Sequence, residues 1–274
     1  MSARDEVELT ERQQKELDYH RDHAHENSII LNKPFSWDVL ENPSRRWWNA
    51  YWEMFTYLSK LNLKDKRVLV VGCGFGDDAL RIAKLGADVY AFDLSPDSLS
   101  IAKALAEREG LNISFEEMAA ESMTYKNEFF DFIVARDILH HVDIPCTMRE
   151  IFRVSKPGAL FLVNEIYSHS FTNRIRHAVF VEKTIYPKMQ RFIYGPEKPY
   201  ITEGERKLTE LDIREISKSL APANFKKYFS FIVTRIFPER YKTLSKIDRL
   251  LLIVFKPIAY LLAGRILFSG HIIK

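Results

Sequence analysis

The chain has 274 residues, 46% of them hydrophobic, which is enough for one α/β domain of about 150–200 residues with additions. Its net charge of +3 and the lack of an RNA-binding motif argue against a nucleic acid partner. Its two cysteines, Cys73 and Cys146, do not have the spacing of a disulfide framework or a zinc site. We therefore expect no metal and a cytoplasmic location. The charged residues 1–13 are not typical of a signal peptide, and no apolar run reaches the roughly 18 residues of a membrane span.

The N-terminal region divides into a polar arm and an aromatic segment. Residues 1–26 are strongly polar and predict a helix or a partly disordered arm. Between residues 44 and 60, large apolar residues follow one another at helical spacing, and these are Trp47, Trp48, Tyr51, Trp52, Phe55 and Leu58. This pattern predicts an amphipathic helix packed on the core, and part of the same face could line a substrate pocket.

From residue 67 onward, short apolar runs alternate with helical patterns. The predicted strands are 68–71, 88–92, 113–115, 132–135 and 159–164. The predicted helices are 77–85, 95–110 and 145–155, with Ser95 as the N-cap of the second and a turn at 156–158. Repeated βα units of this kind predict a parallel sheet with helices on both faces.

The alternation ends after residue 165. Residues 166–210 have no clean period, and we expect a lid with short helices there. Beyond it the sequence predicts a helix at 210–220, a strand at 225–237, a hydrophobic helix at 244–262 around Pro257 and a last strand at 267–273. The predicted division is a helical arm at 1–60, a core at 61–165, the lid at 166–210 and a C-terminal part at 211–274.

One stretch carries most of the chemical information. Residues 68–78 read V-L-V-V-G-C-G-F-G-D-D, so a buried strand ends in glycines at positions 72, 74 and 76. The next strand ends in Asp93. A strand, a turn that requires glycine, a helix and a second strand ending in a carboxylate together predict a nucleoside site. The glycines let the backbone approach the ligand, and Asp93 can accept both ribose hydroxyl protons.

Position 77 favours one cofactor over another. A dinucleotide fingerprint needs glycine at that position and a helix N-terminus that faces a pyrophosphate. Asp77 and Asp78 would repel a pyrophosphate but tolerate a ligand with an ammonium and a sulfonium group. An NAD-dependent oxidoreductase is therefore the less favoured alternative. At these residues the chain resembles the class I S-adenosylmethionine (SAM)-dependent methyltransferases, whose first motif is similar to Val71–Asp77.

This resemblance is specific over residues 60–165 and looser toward the C-terminus. It implies a doubly wound α/β fold with a mostly parallel seven-stranded sheet and an antiparallel last strand. The sequence pattern adds the N-terminal helical arm and the lid insertion to this fold. Leu94 would pack on the adenine, and since Ala119 stands where the family often has Asp, Ala120 or Glu121 would read the adenine instead. The cofactor-binding residues so implied are Gly72, Cys73, Gly74, Gly76, Asp77, Asp93, Leu94, Ala120, Glu121, Ala135 and Arg136.

Three residues are candidates for the proton acceptor. In the family that the chain resembles, the loop after the fourth strand faces the methyl group, and here it contains His140 and His141. A histidine there could take a proton from a hydroxyl or an amine, or it could simply steady the loop. Glu165 at the tip of the fifth strand lies at the same edge of the predicted sheet and is a second type of candidate base.

These features predict a SAM-dependent methyltransferase with a small-molecule acceptor, methylated at oxygen in the first instance. Methylation at carbon or nitrogen of a lipid, an isoprenoid or an anionic metabolite is the alternative. The anionic option rests on a basic segment within 166–210, formed by Arg174, Arg176, Lys183, Lys188, Arg191, Lys198, Arg206 and Lys207. Basic residues around the C-terminal apolar helix also fit contact with a membrane surface, although burial against the sheet is the favoured interpretation. The sequence does not indicate an oligomeric state.

Overall fold

A computed structural model of the chain describes residues 9–176, 206–222, 225–230 and 242–274. Within these ranges the strands are β1 Arg67–Val71, β2 Asp88–Asp93, β3 Ile113–Glu117, β4 Phe130–Arg136, β5 Ser155–Ile166, β6 Phe225–Phe229 and β7 Arg265–His271. The α-helices are α1 Glu11–Asn27, α2 Asp38–Glu41, α3 Ala50–Leu58, α4 Asp77–Lys84, α5 Pro96–Arg108, α6 Ile144–Val154, α7 Ser170–Arg176, α8 Glu210–Ser217, α9 Lys242–Val254 and α10 Ala259–Leu262.

The seven strands form one sheet in the order β3-β2-β1-β4-β5-β7-β6. The pairs among β1 to β5 are parallel, whereas β7 runs antiparallel to both β5 and β6. The strand order reverses between β1 and β4, and in open α/β sheets ligands bind at such a point, beyond the carboxyl ends of the strands. The predicted fold class is therefore confirmed.

Both faces of the sheet are covered, as expected for strands that are apolar at every position. Leu69 and Val71 belong to one cluster of buried side chains, and Val68 and Val70 belong to another. Since successive side chains of a strand point to opposite faces, these two clusters are the two layers of the core. The wholly apolar run of β1 thus fixes this strand in the middle of the molecule.

Helix caps fix where the crossover helices begin. The side chain of Ser95 accepts a hydrogen bond from the backbone N–H of Ser98, with Pro96 in the first turn of α5, as predicted. Asp143 caps α6 in the same way through the N–H of Cys146. Each cap places the residues just before its helix at the carboxyl edge of the sheet.

The aromatic helix is shorter than predicted. It begins at Ala50, because Asn49 accepts hydrogen bonds from the N–H groups of Tyr51 and Trp52 and so acts as the N-cap. Trp47 and Trp48 therefore precede the helix, and Trp47 is 46% exposed. These two tryptophans have helical spacing in the sequence, but the N-cap at Asn49 begins the helix after them.

Two further boundaries correct the predictions. The turn predicted at 156–158 lies inside β5, where Phe130 pairs with Ser155 and Phe132 with Leu160, so the intervening residues of β5 bulge from the ladder. The hydrophobic helix around Pro257 divides into α9, a short 3-10 turn at 256–258 and α10. Proline lacks a backbone N–H, which explains the interruption.

Much of the predicted lid lies outside the described residues. Its first part contains α7, and Leu208 at its end forms a bridge with Tyr167. Of the basic residues predicted there, Arg206 pairs with Asp212 at 2.9 Å. The strand predicted at 225–237 is observed as Phe225–Phe229, and 231–241 again lie outside the description. The four-part division of the chain stays a prediction.

Candidate active site

A main cavity of about 450 Å³ lies at the carboxyl ends of β1 to β4. Its walls come from the turn after β1, the end of β2, the loop after β3 and the loop after β4. The fifth contributor is α1, whose Gln13 and Glu16 also border the cavity. The described part of the predicted N-terminal arm is thus mainly a helix, and it lies over the edge of the sheet where ligands of such folds bind.

Each glycine of the motif is required for a different reason. Gly72 has φ +60, and a Cβ there would lie 2.5 Å from the Cδ1 atom of Ile138. Gly76 has φ +85, precedes α4 as its N-cap, and a Cβ there would lie 2.9 Å from that of Ala102. Gly74 has φ +50, and its Cβ would meet no described atom within 4 Å, since this residue borders the cavity. Two glycines therefore serve packing, and the third leaves backbone open to a ligand.

Asp93 is held in place by two backbone donors. Its Oδ2 atom accepts from the N–H of Gly74 at 2.8 Å, and its Oδ1 atom accepts from the N–H of Ser95 at 3.0 Å. The side chain borders the cavity although only 9% of the residue is exposed. Because each carboxylate oxygen has two lone pairs, an oriented Asp93 can still accept hydrogen bonds from a ligand diol.

The two acidic residues at the start of α4 are both paired with arginines. Asp77 borders the cavity and accepts from Arg81 Nη1 at 2.8 Å. Asp78 is buried and accepts from Arg136 Nε at 2.6 Å. Burial opposes the charge of Arg136, but Asp78 and Asp137 raise its pKa. The electrostatic argument against a pyrophosphate is therefore weaker than the sequence indicates, because Asp77 alone of the two faces the cavity and a guanidinium offsets its charge.

The loop expected to read the adenine is joined to the N-terminal helix. Leu94, Ala119, Ala120 and Glu121 border the cavity. Arg12 and Gln13 of α1 both donate to the Glu121 carboxylate, the latter at 3.2 Å, and the N–H of Asp143 donates to it at 2.9 Å. With three donors on Glu121, this carboxylate ties α1 to the core.

The loop after β4 is built on a buried carboxylate. Glu165 is fully buried and accepts from the N–H groups of Ile138 at 2.7 Å and Leu139 at 2.6 Å. Its other oxygen lies 2.7 Å from Nδ1 of His140, which is 7% exposed. Neither Glu165 nor His140 borders the main cavity, so the structure places two of the three candidate bases behind the loop.

His141 is the candidate base that borders the main cavity. Its Nδ1 atom lies 3.1 Å from Oε1 of Glu16 on α1, and its ring centroid lies 4.0 Å from that of His140. When Nδ1 carries the proton toward Glu16, the other ring nitrogen is the acceptor of the neutral imidazole. The N-terminal helix thus supplies a carboxylate that can accept the Nδ1 proton of a neutral His141.

Most of the predicted site residues come together around the main cavity. Those that border it are Gly72, Cys73, Gly74, Asp77, Asp93, Leu94, Ala120, Glu121, Arg136 and His141. Those that do not are Gly76, Ala135, His140 and Glu165. Further lining residues that the sequence did not single out are Gln13, Glu16, Phe75, Phe92, Ser98, Met118, Asp137, Ile138 and Val142. Several of these adjoin a motif residue, but nothing in the sequence relates Gln13 and Glu16 to the motif.

A second, small cavity of about 160 Å³ adjoins the first. It is lined by residues of four elements and their ends, namely Asn49, Ala50, Tyr51, Arg136, Asp137, Ser230 and Arg265. Asp137 accepts from Arg265 Nη2 at 2.6 Å and from Arg136 Nη1 at 3.1 Å. Arg136 and Asp137 border both cavities, so this ion pair forms the wall between them.

The main cavity fits an adenosine cofactor with a charged methionine part. Three features of the cavity match the three parts of such a cofactor in chemical type. The open backbone at Gly74 suits the amine, and the oriented carboxylate of Asp93 suits the ribose hydroxyls. The adenine suits an apolar patch formed by Leu94, Met118 and Val142. Within the described ranges no group of His, Cys, Asp and Glu is arranged to bind a metal ion. In the same part of the chain no helix is both long and apolar enough to cross a membrane.

Comparison with known proteins agrees with this fit. The methyltransferase domain family matches residues 62–193. The ubiquinone biosynthesis O-methyltransferase of Paraburkholderia phymatum is 34% identical over 138 residues, which are 46% of this chain and 60% of the relative. Among the first curated relatives, the match spans between 42% and 60% of their own length.

Solved structures show the same fold over a larger part of the chain. The [4+2]-cyclase SpnF has a TM-score of 0.59 with 21% identity, over 97% of each chain. A SAM-dependent methyltransferase from Mesorhizobium loti has a TM-score of 0.53 with 17% identity, over 81% of this chain and 98% of that one. At these identities the likeness concerns the fold alone.

The matched domain at residues 62–193, the sheet order and the glycine turn together support a class I SAM-dependent methyltransferase. This assignment confirms the predicted cofactor, SAM, at the level of the family. It argues against the NAD-dependent alternative. The roles of individual residues toward the cofactor and the acceptor stay predictions.

Proposed function

We propose that the protein transfers the methyl group of SAM to an oxygen atom of a small-molecule acceptor. The observation that carries the choice of oxygen is His141, which borders the main cavity with its Nδ1 beside Glu16. A hydroxyl must lose its proton at or before transfer, whereas a neutral amine has less need of a base. Relatives named as O-methyltransferases, 34% identical over part of their length, support the same choice.

In this proposal the chain has three tasks. When bound, SAM supplies an activated methyl on sulfur, and S-adenosylhomocysteine is left once that methyl has passed to the acceptor oxygen. The protein aligns the acceptor with the methyl, excludes water and takes the hydroxyl proton on His141. Gly74 and Asp93 hold the cofactor, and α1 closes the cavity through Glu121.

Glu165 and His140 act here as positioning residues. Glu165 fixes the backbone of Ile138 and Leu139 and holds the ring of His140. The loop that carries His141 therefore stands on a fully buried carboxylate. Because Glu165 faces the loop rather than the cavity, the proton goes to His141 and not to Glu165.

The test measures transfer from methyl-labelled SAM to a panel of small phenols, with calorimetric titration of S-adenosylhomocysteine as a separate readout. His141→Ala should lower turnover by about 10²–10⁴-fold and leave affinity for S-adenosylhomocysteine nearly unchanged.

His271→Ala is the matched control, because His271 lies on the C-terminal strand with Nδ1 beside the carbonyl of Gly158, away from the cavity. It should behave as wild type. Near-normal turnover in His141→Ala would remove the assigned base. Methyl groups found on a ring carbon of the product would support methylation at carbon instead of oxygen, and failure to bind S-adenosylhomocysteine would contradict the cofactor site itself.

The same proposal includes a small-molecule partner and a reducing compartment. Cys73 and Cys146 are both free thiols, which suits the cytoplasm. Burial and the nearby Asp93 raise the pKa of the Cys73 thiol well above its usual value, so we assign Cys73 a packing role at the cavity wall.

A further inference from the structure

We propose that the small cavity is the acceptor subsite and that it binds the carboxylate end of a one-ring organic acid. This inference rests on the proposed function, since it assigns the acceptor for the same methyl transfer. The residues that would recognise the acid are Arg265, Arg136 and Tyr51. Four observations carry it: position, charge, size and backbone conformation.

The position of the small cavity puts its occupant next to the cofactor site. Arg136 and Asp137 border both cavities, so no further layer of side chains separates the two spaces at this ion pair. An acid with its carboxylate among the side chains of the small cavity would direct its hydroxyl toward the main cavity. In-line transfer requires this kind of adjacency between donor and acceptor.

The charges around the small cavity favour an anion. Two guanidinium groups border it against the one carboxylate of Asp137, which they share. Asp78, the other partner of Arg136, lies outside the lining. Neither Nη2 of Arg136 nor Nη1 of Arg265 donates a hydrogen bond to any residue that the structure describes. Guanidinium groups with such donors are the usual partners of carboxylates.

The N-terminus of α3 adds to the same field. Asn49, Ala50 and Tyr51 at this end of the nine-residue helix border the cavity. The positive end of the helix dipole therefore lies beside the two guanidinium groups and reinforces their attraction for an anion. Burial and the nearby Asp78 raise the pKa of Tyr51, so the phenol stays neutral and can donate a hydrogen bond.

Size and wall chemistry limit the acceptor to about one ring. The volume is about 160 Å³, and an apolar cavity of about 150 Å³ is known to hold a benzene molecule. The ring of Tyr51 lies in the wall with the guanidinium of Arg136 4.9 Å from its centroid. A flat ring that bears a carboxylate matches this combination of an aromatic wall and cationic ends.

Backbone strain is concentrated at the same place. Asp137 and Ser230 both border the small cavity and both have φ +54. In the described part of the chain, only two other residues besides glycines have positive φ, Asp65 and Glu128. Unfavourable backbone conformations persist where surrounding structure enforces them, often at ligand sites. The conformation of Asp137 places its carboxylate between the two arginines.

The test uses the full-length protein saturated with S-adenosylhomocysteine. The probes are the three isomers of hydroxybenzoate and the three matching hydroxybenzamides, which differ in charge but hardly in shape. Binding is measured by calorimetry, and transfer from methyl-labelled SAM is measured for the same six compounds. At least one acid should bind at least 10-fold more tightly than its amide.

Two variants isolate Arg265. Arg265→Gln should weaken binding of the acid by about 10- to 100-fold, the range expected for lost charge-assisted hydrogen bonds, and bring it near that of the amide. Arg265→Lys keeps the charge and should recover part of the preference. Affinity for S-adenosylhomocysteine should stay within about 3-fold of wild type in both variants. Arg206→Gln, at an exposed arginine paired with Asp212, is the control and should change nothing.

The outcomes separate this inference from the proposed function. Equal binding of acids and amides, or failure of all three acids to bind the S-adenosylhomocysteine-loaded protein, overturns the acid subsite and leaves the cofactor assignment intact. If the wild-type protein does not bind S-adenosylhomocysteine, the proposed function is overturned instead. A preference for the acid that persists in Arg265→Gln overturns the role of Arg265.

Discussion

The main cavity and the small cavity are made in different ways. The main cavity depends on backbone geometry within one βα unit and the strand that follows, with Gly72, Gly74 and Asp93 as its key residues. The small cavity depends on side chains from separate parts of the chain, and the contact between Asp137 and Arg265 joins residues 128 positions apart. The glycine and aspartate part of the main cavity is local in sequence, whereas the small cavity is assembled only by the fold.

This difference indicates how the two sites can vary. We call the glycine turn after β1, together with Asp93, the cradle. Because the cradle is made mostly of backbone, it constrains few side chains and can serve one cofactor in proteins with many acceptors. The fold itself does not fix the chemistry, since a [4+2]-cyclase has the same architecture over 97% of each chain. Side chains such as Arg265 can change without disturbing the cradle, and specificity for the acceptor would reside there.

The largest expected effect comes from a substitution in the cradle. Gly72→Ala places a Cβ 2.5 Å from Ile138 Cδ1 at a residue with φ +60. A left-handed conformation costs a non-glycine residue about 1–2 kcal/mol, and overpacking adds about 1–3 kcal/mol. We expect affinity for S-adenosylhomocysteine to fall at least 10-fold in calorimetric titration, with a lower melting temperature.

Gly110→Ala is the matched control. Gly110 has φ +67, and its Cβ would meet no described atom within 4 Å, so this variant has only the conformational cost. It should lose some stability and no cofactor affinity. If Gly72→Ala behaves in the same way, the close contact with Ile138 is not what requires glycine in the cradle.

A smaller effect is expected at Glu165, which holds the loop after β4 beside the main cavity. Glu165→Ala leaves the N–H groups of Ile138 and Leu139 without their acceptor and should destabilise the protein by about 1–3 kcal/mol. Glu165→Gln keeps an acceptor oxygen and should retain most of the stability and turnover. Denaturant unfolding and initial rates of both variants check this expectation.

The pair of variants also separates positioning from proton transfer. A positioning residue is rescued by the glutamine, whereas a general base is lost equally in both variants. If Glu165→Gln folds as wild type but loses turnover by 100-fold or more, Glu165 takes the proton and His141 does not.

The sequence predicted the cradle because its signals are local. Glycines at alternate positions after an apolar strand, and a carboxylate at the next strand end, specify backbone geometry within a few residues. The cofactor face, the mostly parallel sheet and the antiparallel last strand followed from the same pattern and the family it resembles. The helix start at Ala50 and the bulge in β5 were missed because one cap and one irregular ladder override the periodicity.

The rest of the site could not be predicted, because distant side chains meet only in the folded chain. Glu121 was expected to read the adenine, but Arg12 and Gln13, more than 100 positions earlier, occupy its carboxylate. Glu165 and His140 were chosen for their place at strand ends, yet their side chains turn toward each other behind the loop. The position of a residue along a strand predicts the edge of the sheet at which it lies, but it does not predict the direction in which its side chain points.

The smallest expected effect concerns the acid stability of the wall between the cavities. Burial alone would raise the pKa of Asp137, but Arg265 and Arg136 lower it below its usual value of 3.8. A carboxyl with a lowered pKa stabilises the folded state above its unfolded pKa, and this stabilisation is lost as the pH falls through the folded value. Urea midpoints of wild type should therefore drop below about pH 4, and Asp137→Asn should show a smaller drop.

Asp131→Asn is the control variant for Asp137→Asn. Asp131 is held by Lys156 at 2.7 Å, and although burial opposes it, hydrogen bonds from Lys156 and Arg67 lower its pKa as well. Both variants should flatten the acid dependence, but Asp131 borders neither cavity. Only Asp137→Asn should then alter hydroxybenzoate binding in the S-adenosylhomocysteine-loaded protein. If both variants leave that binding unchanged, the ion pair between the cavities serves stability alone. The acceptor then lies in the main cavity and not in the small one.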